Sequence, residues 1–189
     1  MNTRRLMLVT ATALALAAPA LAQQGMGMMG MHHGGGGHAM GHGMMPMLNG
    51  TDTTPEEVHE MEAMFMHFPD IRRSVENLPD GIRTVTESDD PYLRGFIVSH
   101  VTGMITRVEE GRDPGVPIQS PTLAILFEKR ALIDTVLEPT DTGIVVIQTS
   151  ADPEVVAALQ THAAEVSDMA ARGMEPVHER MMGAAPARP

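Results

Sequence analysis

"NLPDGIRTVTESDDP", Asn77–Pro91, holds a stop, a strand and a start in one short run. Leu78-Pro79-Asp80-Gly81 ends any helix before it, because proline lacks an amide hydrogen and glycine favours the turn. Ile82–Glu87 is rich in β-branched residues and reads as a short strand. Asp90-Pro91 then starts a helix. An Asp cap accepts from the free amides of the first turn, and proline at the first helical position has no N–H to leave orphaned. This helix is predicted to run to about Glu110, with Gly111 ending it.

The same signals recur 62 residues later without a gap. Phe65–Gly111 lies over Phe127–Gly173 with ten identities, among them Gly81/Gly143, Ile82/Ile144, Ser88/Ser150, Asp90/Asp152, Pro91/Pro153, His100/His162 and Gly111/Gly173. The second strand falls at Ile144–Thr149, and the second Asp-Pro start at Asp152-Pro153.

Ahead of each strand the apolar spacing reads as helix. Met61, Met64, Phe65, Phe68, Ile71 and Val75 recur at three and four. The expected fold is α+β and mainly helical. Two tandem α-β-α repeats, at about 60–111 and 122–173, would form a pseudo-two-fold four-helix bundle. A short two-stranded ribbon would lie against it, since a lone strand pair is marginal without packing. The segment 112–120, with two prolines and a glycine, reads as the linker between repeats.

Outside the expected domain, 51–174, three zones differ in composition. Residues 1–22 have two arginines, an apolar run and Ala20-Leu21-Ala22, the pattern of a cleaved signal peptide, and imply a periplasmic protein with no transmembrane segment in its mature chain. Residues 23–50 form a Gly/Met/His arm expected to be disordered, and 175–189 read as a flexible tail. Arg4 and Arg5 fall in the leader, so 24 acidic residues face 11 basic ones afterwards. Such acidity disfavours nucleic acid and favours cations. With no cysteine there is neither a disulfide framework nor a thiolate site.

The arm is dense in soft and borderline ligands: Met26, Met28, Met29, Met31, His32, His33, His38, Met40, His42, Met44, Met45 and Met47. Thioether sulfur suits Cu(I) at any pH, whereas imidazole suits Cu(II), Ni(II) and Zn(II) once neutral. Glycines let such a chain wrap an ion. Within the repeats, His100 shares a helical face with Ile97 and Met104, and His162 shares one with Leu159 and Val166. A two-fold axis would bring these imidazoles together as a metal or haem pair, with Met104 as a further soft ligand and His67 as a possible third imidazole. His178, Met181 and Met182 repeat the theme near the end. No catalytic motif is present: His59-Glu60 lacks the second histidine of a zinc-protease helix, and there is no nucleophile elbow or phosphate loop.

The strings "NLPDGIRTVTESDDP" and "TDTGIVVIQTSADPEVV", each followed by a helix histidine, resemble a family of exported bacterial proteins built as two tandem halves. The resemblance spans about residues 60–178 and implies a periplasmic setting and duplicated architecture, with no activity attached. Lys129 stands where that resemblance implies a histidine. Separately, the arm resembles the metal-binding arms of periplasmic copper-resistance proteins and the Met/His-rich start of small helical stress chaperones.

The leading functional expectation is a copper-binding protein for sequestration or delivery to a copper-accepting periplasmic or membrane partner. The alternatives are a haem protein with axial histidines and a metal-sensitive stress chaperone.

Overall fold

The structure is a computed structural model, and it describes residues 45–183. The expected signal peptide and the arm ligands from Met26 to Met44 lie outside the described residues. Five helices and four strands follow one another as α1 (Pro55–Met66), β1 (Arg72–Leu78), β2 (Gly81–Glu87), α2 (Pro91–Glu110), α3 (Thr122–Glu128), β3 (Asp134–Pro139), β4 (Gly143–Thr149), α4 (Pro153–Arg172) and α5 (Glu175–Gly183). The strands make one antiparallel sheet in the order β1-β2-β4-β3.

This corrects the expected four-helix bundle with a two-stranded ribbon. Each repeat is α-β-β-α, and the extra strand comes from the part read as helix. Pro69 sits where α1 would have continued. It has no amide hydrogen with which to continue the helical ladder. The chain makes one tight turn at Phe68–Asp70 and goes on as β1. In the second repeat a turn at Arg130–Leu132 does the same before β3. Residues 175–183 are likewise helical rather than a flexible tail, and the buried Val177 anchors them. Arg172 ties α5 to α4 through Glu175 (3.3 Å) and Glu179 (2.5 Å).

The Asp-Pro starts behave as their chemistry requires. Asp90 accepts from the amides of Tyr92 and Leu93, and Asp152 from those of Glu154 and Val155. Gly111 closes α2 in the left-handed conformation, at φ 71°. At the centre of the sheet β2 pairs with β4 from Gly81 opposite Thr149 to Glu87 opposite Gly143. The 62-residue offset carries Thr84 onto Val146, and those two residues pair with each other. Gly81 and Gly143 open these strands at close approaches, where a Cβ would strike the carbonyl oxygens of Gln148 and Thr86.

The helices are exchanged between the halves. Leu93 and Ile97 of α2 pack with Ile144 and Val146 of β4. Val155 and Leu159 of α4 pack with Ile82 of β2. Matching backbone bonds cross between the halves as well, from Ser88 to Thr142 and from Ser150 to Asp80. The 112–120 segment is no loose linker: Val116 and Ile118 join Leu48, Val58 and Val177 in a third apolar cluster. Among the described residues no helix is long and apolar enough to cross a membrane.

Candidate ligand-binding cavity

Paired strand residues share a face, so the sheet turns Arg73, Thr86, Thr84, Val146, Ile82 and Gln148 toward the helices. They do not close against them. A cavity of about 480 Å³ lies there, walled by Met61, Met64 and Phe65 of α1, Ile97, His100, Val101 and Met104 of α2, and His162, Val166 and Met169 of α4. The walls are predominantly apolar, and a volume of this order suits a small organic ligand.

The two histidines at equivalent positions both line this cavity, as does Met104 one turn beyond His100. Burial pushes both imidazoles down from 6.5 to about 4. Nearby Glu57 opposes that shift at His100, and the charge of Arg73 adds to it at His162. Both rings are therefore neutral at neutral pH, the protonation state in which imidazole ligates a metal. His162 Nδ1 and Glu165 Oε2 are buried without a hydrogen-bond partner and face each other at 3.9 Å. At that distance no hydrogen bond joins them. His100 makes no hydrogen bond to the described protein.

Arg73 is the residue the sequence reading missed. It stands on β1 facing the cavity, with Nη1 donating to Thr86 Oγ1 (2.5 Å) and Nε to Ser167 Oγ (3.3 Å). Ser167 donates its own proton to the Ala163 carbonyl, so it receives from Arg73 as an acceptor. Among the described residues no carboxylate lies within ion-pair distance of Arg73. Burial alone moves its pKa, down to about 10, so it stays charged at neutral pH. The offset that relates the halves turns Arg73 and Thr86 into Thr135 and Gln148. That pair bonds across strands too, Gln148 donating to Thr135 at 3.4 Å, so the charge is present at one end only.

The remaining predicted ligands lie elsewhere. His67 caps the end of α1 with its side chain 60% exposed and 4.0 Å from Asp70; it is not a cavity residue. Met45 and Met47 pack on the cluster around Leu48 and Val58 rather than extending as part of an arm. His178, Met181 and Met182 are exposed on α5. Lys129, at the slot noted for histidine, is paired with Asp152 (2.8 Å) and Glu154 (2.5 Å). Among the described residues no three His, Asp or Glu side chains gather closely enough to hold an ion.

Arg73 did have a sequence signal. Ile71, Arg73 and Val75 alternate as a half-buried strand does, but a charge at the inward slot hid the period. Comparison of the chain with family models, curated proteins and solved structures found no match.

Proposed function

We propose that this protein binds a haem-type ligand in the cavity between sheet and helices, with His100 and His162 as the candidate iron ligands. One observation carries the reading: two neutral imidazoles, neither hydrogen-bonded to the protein, line a single apolar cavity of about 480 Å³. A bare ion needs only a few donor atoms and no apolar room, whereas a porphyrin needs both an apolar slot and an imidazole. Met104 supplies a thioether alternative beside His100. When bound, such a group supplies one-electron or diatomic-ligand chemistry. The protein's part is to hold the rings neutral and limit water.

The copper reading keeps one structural support: Met61, Met64, Met104 and Met169 line the same cavity as the two histidines, a donor set suited to Cu(I). Its other support, the arm, lies outside the described residues apart from Met45 and Met47.

Titration of the full chain with haemin and with Cu(I) separates the two readings. The haem reading expects a one-to-one complex whose Soret band shifts on binding and is altered or lost in His100→Ala or His162→Ala. No Soret change in the unmodified protein would end it. The copper reading expects the same two variants to lower Cu(I) stoichiometry; unchanged stoichiometry would remove the domain from copper binding.

A further inference from the structure

Arg73 raises a question that metal binding does not answer. A guanidinium has five N–H donors, and two hydrogen bonds to hydroxyl oxygens leave three of them unspent. A charge drawn toward an apolar interior normally meets a carboxylate. Arg73 meets two neutral hydroxyls instead, although the chain is rich in Asp and Glu. Arg107, which is buried where Arg73 is half-buried, does meet carboxylates, Glu57 and Asp52. The carboxylates that line the cavity come from α1, and none of them perturbs Arg73. Of these, Glu57 is already bound to Arg107.

We infer that Arg73, seated on Thr86 and Ser167 at one end of the apolar cavity, is the anchor for the carboxylate of an apolar ligand. The planar guanidinium presents its free edge for a two-point bond to a carboxylate. The methionines and valines along the walls take the apolar body. A single guanidinium beside neutral imidazoles matches one negative charge, which favours a monoanionic head over a doubly charged phosphate. The glutamates on α1 repel a carboxylate at their side, so they set the direction in which the ligand enters. The opposite hairpin carries Thr135 in place of Arg73, so only one end of the cavity can hold the head group.

The inference goes beyond the haem reading because it requires no iron. Two ligand sources share this chemistry, a porphyrin side-chain carboxylate and a fatty-acid head group, and the probes distinguish them. The full-length protein is titrated by fluorescence with metal-free protoporphyrin IX and its dimethyl ester, and with cis-parinaric acid and its methyl ester. At least one free acid is expected to bind about tenfold or more tightly than its ester, the scale of a lost charge-assisted pair. Which acid binds identifies the source. Arg73→Gln should weaken the acid to the level of the ester and leave the ester unchanged, and Arg73→Lys should restore part of the difference. Equal binding of acid and ester, or no binding of either acid, would overturn the inference. The ester comparison uses the unmodified protein and does not depend on any variant folding. Absence of a haemin Soret change would sink the iron reading and leave this result standing.

Discussion

Arg107 and Arg73 have opposite surroundings. Arg107, near the end of α2, is 3% exposed and fully engaged: Nε and Nη2 grip both oxygens of Glu57, and Nη1 reaches Asp52 (2.8 Å) and the Arg112 carbonyl (3.3 Å). It closes the segment before α1 onto the end of α2 and holds both carboxyls below their usual range. Arg73 has hydroxyls only, faces a cavity and is held below its ordinary pKa by burial. The first charge is consumed by the fold. The second is left over from it, which is why it reads as function.

Substitution should break that comparison most visibly at Arg107. Arg107→Met takes hydrogen bonds at once from Glu57, Asp52 and the Arg112 carbonyl and should lower stability markedly. Urea unfolding followed by circular dichroism would measure it, and a loss below about 1 kcal/mol would show the network to be dispensable.

The histidines beside Arg73 give the next largest effect. Their folded pKa values, about 4, lie below the ordinary 6.5. The unfolded chain therefore binds more protons between those values. Stability is full above pH 6.5, falls as the pH drops through the window, and levels off below about 4. The loss is up to roughly 3 kcal/mol per ring. Unfolding midpoints taken from pH 7 to 4 should fall steeply in the native protein and less so in a His100→Phe/His162→Phe variant. Parallel curves would mean that other groups carry the acid sensitivity.

The smallest effect sharpens the contrast. Arg73→Met removes a charge that no carboxylate compensates, so the ligand-free protein should be unchanged or more stable by about 1 kcal/mol. A loss comparable to that of Arg107→Met would make Arg73 a structural residue and weaken the case for an anion site.

Much of this architecture could be read locally. The Asp-Pro starts, the β-branched runs of β2 and β4, and the glycine stop after α2 act through neighbours in sequence, and each appears where its chemistry puts it. The first strand of each hairpin could not be read this way. Met61 through Val75 keeps a helical spacing across Pro69, and the inward Arg73 breaks the apolar alternation that marks a strand. The histidine pair was visible because the offset aligned it. Arg73 was not, because its counterpart in the other half is Thr135.

What the sequence determined by itself is therefore the set of caps, turns and central strands, together with the equivalence of His100 and His162. Short-range sterics and single hydrogen bonds decide those. The tertiary structure alone decided that β1 and β3 complete the sheet, that α2 and α4 each pack on the other half's hairpin, and that Arg73 ends beside His162 without a carboxylate. Those outcomes depend on which surfaces remain to be buried once the local elements have formed. Contacts between residues far apart in the chain settle that, and no local pattern encodes them.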